Sequence, residues 1–441
     1  MESQVPTTPF LAAYNKLFDS DDLWCAARQL GVVRRDRKID IPALVEASVL
    51  ALSGLPGTQM TIYAGYIGLT GQTLAPSSFY DRFTQPYGNL MGQLAQRALA
   101  AVRAVDPGDP ALRELGALLE RFSDVRVADS TCQILQKLAS GWAPSTSKKR
   151  PASFKLHSVI SLQDQLPVEY HLSPQRDHDS PQLDTSALVA GTLFMADLGF
   201  LDQARLLGLV ARGVHVLMRL KENQNPRILR VRVGCGSPST YVGMTLSEAL
   251  GSYALDFQDG LLDIDVQIEA QGPEGQLLSA VLRVVGVVDP DSFEARFYLT
   301  SVGPEVLTPA HVALCYTLRW DIELLWKQVK TGVGLSAILA WREEAVTALV
   351  HAKIIAVALG RLLELSARQQ SRDHALGQLA IVLTLNRMVP MLTAWRLQQR
   401  GVSLEEMERR MLLLAVVAGR SRRQRRERKR RQLRATVGKV P

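Results

Sequence analysis

Apolar and polar positions recur along this chain with two different periods, and the switch between them divides it. Up to about residue 118 apolar residues return every three to four positions, as in Leu23–Leu30 and Ile41–Leu52, which predicts amphipathic helices. Gly54-Leu-Pro-Gly57 and Asp106-Pro-Gly-Asp-Pro110 break the pattern, and Ala111–Phe122 resumes it. From Asp124 the texture changes to short β-branched runs: Asp124–Asp129, Phe154–Leu162, Pro167–Leu172, Thr192–Asp197 and Val214–Arg219 predict strands. Helices are expected over 180–192 and Leu201–Arg212. Three strands, helix, strand, helix, strand implies a mixed sheet with helices packed on it. Strict alternation in Ile228–Val233, Leu262–Ile268 and Ala280–Val288 marks 222–305 as a β-rich insertion. Helical spacing returns over Pro309–Lys330, Arg342–Gln369 and Ala375–Gln399.

These patterns predict an α/β protein in six parts: a helical N-terminal domain (1–120), the first part of a mixed-sheet core (121–221), the β-rich insertion (222–305), the second part of the core (306–370), C-terminal helices (371–418) and a basic tail (419–441). At 441 residues, 47% of them apolar, the chain can bury a large core. The four cysteines, Cys25, Cys132, Cys235 and Cys315, lie far apart. They have no zinc-like spacing and fit reduced thiols in a cytoplasm. The polar start of the chain does not resemble a secretory signal. The most apolar stretch, Ala348–Leu365, is interrupted by His351, Lys353 and Arg361, so no membrane span is expected.

The net charge of +8 is unevenly placed. Residues 419–441 carry eleven Lys or Arg and one acid, Glu427, while the other 418 residues hold 40 basic and 42 acidic residues. A near-neutral body with a strongly basic tail points to a polyanionic partner, bound with release of counterions. Met60–Leu69, a short turn and Ser77–Phe83 resemble a helix-turn-helix whose second helix would offer Ser77, Ser78 and Arg82 to DNA. A plain helical pair packed through Phe79 and Phe83 explains the same pattern.

The densest chemistry lies in Tyr316–Lys330. At 100° per residue, Tyr316, Arg319, Glu323, Lys327 and Lys330 fall within an arc of roughly 80°. Leu318, Ile322, Leu325 and Val329 form the opposite stripe. A solvated charged face with a Glu323–Lys327 pair is the plain reading; a carboxylate that binds metal among cations that hold phosphates is the sharper one. Asp129 and Asp197 each end a predicted strand, where functional side chains gather in helix-covered sheets. Three acids from separate segments suit Mg²⁺ or Mn²⁺, which favour oxygen ligands. Two such ions about 4 Å apart can serve both the attacking and the leaving oxygen of a phosphodiester. A rival cluster, Asp177-His178-Asp179 with Asp184, reads as a polar loop with a capping acid.

Tyr316-x2-Arg319-x3-Glu323-x6-Lys330 resembles the Tyr-Arg-Glu-Lys signature of bacterial insertion-sequence DDE transposases of the insertion-sequence-four type. Ala128-Asp129-Ser130-Thr131 and Ala196-Asp197-Leu198-Gly199-Phe200 resemble that family's first- and second-acid motifs. The resemblance spans roughly 55–370. It implies an RNase H-like core, a catalytic, metal-binding triad of Asp129, Asp197 and Glu323, and phosphate contacts from Tyr316, Arg319 and Lys330. Lys327 extends that face, and Arg219 and Lys221 resemble a further DNA-contacting pair. The expected reaction is divalent-metal-dependent cleavage at transposon ends followed by strand transfer, with two Mg²⁺ or Mn²⁺ ions, terminal inverted repeats and target DNA as partners, and a homodimer in the DNA complex. The competing expectations are a catalytically silent transposase-derived repressor and an ordinary nuclease on the same core.

Overall fold

The computed structural model describes residues 8–33, 39–51, 58–105, 120–162, 166–197, 200, 202–220, 224–288, 294–316, 319 and 338–370, with short pieces at 392–393, 396–398 and 401–402. They belong to two compact units. One comprises Met1–Val105, Leu135–Ala139 and Gln328–Pro441; the other comprises Asp106–Ile134 and Ser140–Lys327.

The first unit is helical. Its elements are α1 (Pro9–Leu17), α2 (Ser20–Gln29), α3 (Ile41–Ala51), α4 (Gln59–Thr70), α5 (Pro76–Tyr80) and α6 (Gln85–Arg103). Thr8, Asp19, Thr58 and Thr84 cap helix N-termini through their side chains, as short polar residues do at these positions. A long helix, α8 (Glu343–Gln370), packs against α6, α1 and α3. By length and composition Glu343–Ser366 would cross a bilayer, but 83% of its most apolar window is buried in the structure. The charges that interrupt it are accommodated inside: Arg361 pairs with Glu364 at 2.7 Å, and burial pulls the Lys353 amine down to about 7. α8 therefore groups with the N-terminal helices, where the sequence pattern had assigned it to the second part of the core.

α4 ends at Gly71, whose φ of +68° gives a left-handed cap. The expected DNA-reading helix is shorter than the pattern suggested. α5 has five residues, begins at Pro76 and has no side-chain cap. Phe79 is buried against the rings of Tyr63, Tyr66 and Phe83, while Ser77 and Ser78 are exposed and Arg82 is half-buried.

The second unit is built on one nine-stranded sheet, ordered β3-β2-β1-β4-β5-β11-β10-β9-β6. Its strands are β1 (Val125–Ile134), β2 (Ser153–Ser161), β3 (Leu166–Pro174), β4 (Leu193–Ala196), β5 (His215–Arg219), β6 (Arg227–Val233), β9 (Leu261–Gln271), β10 (Leu277–Val288) and β11 (Ala295–Thr300). The two-residue β7 (Cys235–Gly236) and β8 (Leu255–Asp256) pair separately. β4 runs parallel to both β1 and β5, and the other pairs are antiparallel. A helix, α7 (Gln203–Ala211), makes the crossover between the parallel β4 and β5, the connection such a pair requires. One sheet face carries Ala128, Ala196, Met218, Leu262, Ile264, Val266, Leu282, Val284 and Leu299 into a core with Leu206, Leu207 and Leu209 of α7.

Three expectations change. The β-rich stretch does not stand apart, because β11 pairs with β5 and carries β10, β9 and β6 onto the same sheet. The helix expected over 180–192 shrinks to one turn, Asp179–Gln182. Beyond it Asp184 Oδ1 takes the Ser186 amide at 2.8 Å, a side-chain turn that competes with helical bonding. β1 does not stop at Asp129. Its apolar pattern ends there, but backbone pairing with β2 continues to Ile134↔Ser153.

Gly286 shows how tightly the sheet is covered. A Cβ there would lie 2.9 Å from Phe257 Cε1 and 3.0 Å from Phe297 Cε1, and rigid rings cannot yield as a flexible side chain can. Gly286→Ala should cost about 1–3 kcal/mol of stability, seen as a lowered thermal midpoint; an unchanged midpoint would show that the rings give way.

Candidate active site

The parallel ladders place the predicted acids. Ala128 pairs with Ala196 across β1 and β4, and Ala196 with Met218 across β4 and β5. The parallel pairing ends at these residues, and Asp129, Asp197 and Arg219 are the next residue on each segment. Neighbouring strands are about 4.8 Å apart, and aligned residues share a face. Arg219 pairs with Tyr298 on β11, and Asp129 with Ser158 on β2. Ser158, Asp129, Arg219 and Tyr298 thus lie in a row on β2, β1, β5 and β11, with Asp197 just past the last residue of β4. The row lies on the face opposite α7, because Ala128, Ala196 and Met218 point to the α7 side and successive side chains alternate. Asp129 is half-buried, and Asp197 and Arg219 are exposed. The Ser158 hydroxyl donates to the Asp129 backbone carbonyl at 3.2 Å, leaving the carboxylate outside that bond.

The helix predicted to carry the third acid approaches this row. Residues 309–316 are helical. Thr308 caps them, its Oγ1 accepting the His311 amide and its carbonyl the Val312 amide, with Pro309 at the first helical position, where its missing N–H costs nothing. Val312 and Cys315 are fully buried. The Tyr316 ring lies 5.1 Å from that of Tyr298, and the Arg319 guanidinium sits 5.6 Å over the Tyr316 ring, a cation–π geometry. Burial raises the Tyr316 phenol above its ordinary value; Arg319 opposes the shift, Asp197 adds to it, and Arg219 opposes it. The phenol is therefore near the second acid and both arginines, and it remains a hydrogen-bond donor at neutral pH.

Tyr316, Arg319, Asp197 and Arg219 thus belong to one neighbourhood. Glu323, Lys327, Lys330 and Lys221 lie outside the described residues, as does the basic tail. Among the described residues no three His, Cys, Asp or Glu side chains come together as a metal-holding group. Asp129 and Asp197 carry the oxygen ligands that a hard divalent cation favours, and Asp197 is exposed.

The rival acidic cluster takes a different role. Asp179 accepts Lys155 Nζ at 3.0 Å, and the same amine reaches the Asp177 carbonyl at 2.8 Å. The Asp179 carboxylate makes no capping bond on its one-turn helix; it holds a lysine. Nearby, His157 is buried, bonds Ser173 Oγ through Nε2 at 2.8 Å and stacks on His171. Burial, with His171 adding to it, lowers its pKa to about 4, so it is neutral and structural. The four cysteines are free thiols, Cys315 buried and the other three exposed. Sequence reasoning did not single out Tyr298, the aromatic platform under Tyr316. Its only signal was its place in the short apolar run Phe297-Tyr298-Leu299.

A family model described as "Transposase DDE domain" matches residues 120–359. The transposase for insertion sequence element IS231F of Bacillus thuringiensis subsp. israelensis is 20% identical over 386 residues, covering 80% of this chain and 79% of that protein. The putative transposase y4zB of Sinorhizobium fredii is 23% identical, covering 64% and 67%. The putative transposase InsL for insertion sequence element IS186A of Escherichia coli is 26% identical, covering 55% and 70%. A solved structure, the piggyBac transposase synaptic complex with hairpin DNA, aligns over 93% of this chain and 85% of its own at a TM-score of 0.44 and 12% identity.

Proposed function

The chain belongs to the transposase DDE domain family, and from that premise we propose that Asp129, Asp197 and Glu323 form its catalytic acid triad. It is a bacterial insertion-sequence transposase, an enzyme that cleaves and transfers DNA strands. The observation that supports the triad is the parallel pairing of Ala128 with Ala196 and of Ala196 with Met218, the residues immediately before Asp129, Asp197 and Arg219. The order β3-β2-β1-β4-β5, with β2 antiparallel to its neighbours and β1, β4 and β5 parallel, supports reading this core as RNase H-like. The Tyr316-to-Lys330 spacing supports placing the chain in the insertion-sequence-four group.

The family's chemistry depends on divalent metal. In this reading the three carboxylates would hold two Mg²⁺ or Mn²⁺ ions, which when bound supply Lewis acidity at the phosphodiester. The chain's own groups bind and orient the strand. Arg319 carries a planar guanidinium that can grip a phosphate with two parallel hydrogen bonds, and it sits over the Tyr316 ring. The Tyr316 hydroxyl, held protonated by burial, donates to a phosphate oxygen. Arg219 adds positive charge where charge develops, and Lys221, Lys327 and Lys330 extend the phosphate track. Ser77, Ser78 and Arg82 are weaker candidates for DNA contact.

Water breaks one P–O bond at a transposon end and leaves a 3′-hydroxyl. That hydroxyl oxygen then bonds to a target phosphorus, and a target 3′-oxygen leaves. Catalysis of this kind needs in-line positioning and charge neutralisation more than a protein nucleophile. Terminal inverted repeats and target DNA are the proposed partners, with two protomers on paired ends, in the cytoplasm of a bacterium.

Incubating the purified protein with the DNA that flanks its own gene, with Mg²⁺, and mapping the cuts tests the reading. Cuts at element ends that EDTA abolishes, followed by joining to target DNA, are expected. Binding without cutting would favour the silent repressor, and scattered cuts without joining would favour an ordinary nuclease.

A further inference from the structure

Strand alternation places Asp263 of β9 and Arg283 of β10 on the face away from the α7 core, where polar residues ordinarily meet water. Both are instead almost fully covered, at 1% and 4% exposure. Arg283 Nε and Nη2 donate to the two Asp263 carboxylate oxygens, each at 2.7 Å. Its remaining nitrogen, Nη1, donates to the Leu307 carbonyl at 2.6 Å and the Val302 carbonyl at 3.3 Å. A buried pair of this kind is not an economical source of stability, since apolar side chains of similar volume commonly serve as well. What apolar side chains cannot do is hold two backbone carbonyls.

Those carbonyls belong to the segment that launches the helix bearing Tyr316 and Arg319. Leu307 is the residue before Thr308, the helix cap. The same segment is gripped from a second side: Arg121 Nη1 donates to the Glu305 and Val306 carbonyls at 3.2 and 2.9 Å, only four residues before the strand that carries Asp129 begins. Its start is tied to β5, where Val216 donates its amide to Ser301 Oγ and accepts from Thr300 Oγ1.

We propose that the Arg283–Asp263 pair, with Arg121, is a positioning clamp that fixes the entry of the Tyr316/Arg319 helix against the acid-bearing strands. The β-rich strands then serve the reaction by orienting that helix from behind. The proposal rests on reading Tyr316 and Arg319 as phosphate-facing residues.

Two variants test it. Arg283→Met with Asp263→Leu replaces the pair by apolar side chains, and Arg283→Lys keeps an ion pair but cannot span both carbonyls. Both are expected to retain the wild-type thermal midpoint within a few degrees and wild-type affinity for end DNA, because the sheet core is unchanged. Amide exchange over 303–316, measured without metal or DNA, should accelerate about tenfold while β1, β4 and β5 stay protected. End cleavage should fall about a hundredfold, the scale of a small misplacement of catalytic groups. Wild-type cleavage in either variant would overturn the clamp, as would exchange that accelerates equally through the whole sheet. Arg319→Ala run in parallel separates the two ideas: if it cleaves normally, the phosphate-facing reading fails, while the local exchange result still judges the anchoring.

Discussion

Asp197→Ala and Asp129→Ala should each lower end cleavage by at least about a thousandfold, the scale of losing a group that acts directly on transition-state charge. Binding to end DNA should survive in both, because a polyanion is attracted by cationic side chains and not by acids. Removing an acid beside Arg219 lowers local negative charge, so affinity for DNA should hold or rise slightly. Neither substitution removes a core side chain: Asp197 is exposed and Asp129 half-buried. Loss of cleavage would therefore report on chemistry, and an unaltered thermal midpoint checks that. Full cleavage by either variant would remove that residue from the triad.

The second large effect is expected at Arg319. Arg319→Lys keeps the charge but loses the planar fork and the stacking on Tyr316, so cleavage should drop by about 10–100-fold with a smaller change in DNA affinity. Tyr316→Phe separates the two parts of that device. It keeps the ring on Tyr298 and removes the hydroxyl, so a loss there measures the donor alone. Single-turnover cleavage at saturating DNA distinguishes these from binding defects. If lysine at 319 works as well as arginine, the guanidinium is only a point charge.

Asp129 and Asp197 stand out in the sequence because they sit where apolar strand patterns stop, next to short motifs. The strand periods also located β1 through β5 to within a few residues. What was not legible is explained by pairing between distant segments. β1 runs past Asp129 because β2 supplies hydrogen bonds to residues whose own pattern has ceased to look strand-like. The β-rich stretch joins the core sheet because β11 pairs with β5, and nothing local in Ala295–Thr300 shows which strand it will meet. The helix expected over 180–192 fails through the turn at Asp184, a competition between side chain and backbone that apolar spacing ignores.

Asp263 shows the same limit at the level of a side chain. Its alternation reads as a solvated strand face, yet it is buried and paired with Arg283. The difference arises because the segment from Val302 to Val312, itself buried at Val302, Leu307 and Val312, packs over that face. Tyr298 escaped notice for a related reason. Its importance comes from the residue that stacks on it, which lies on a helix eighteen positions later.

Asp129 and Asp197 are proposed to share bound divalent metal on the sheet face opposite α7. Mn²⁺ binding to the protein on end DNA, followed by electron paramagnetic resonance, addresses this without relying on turnover. Saturable binding to the unaltered protein is expected, with a loss of at least about tenfold in affinity in both Asp129→Ala and Asp197→Ala. Mn²⁺ binding as tight in both variants as in the unaltered protein would contradict it.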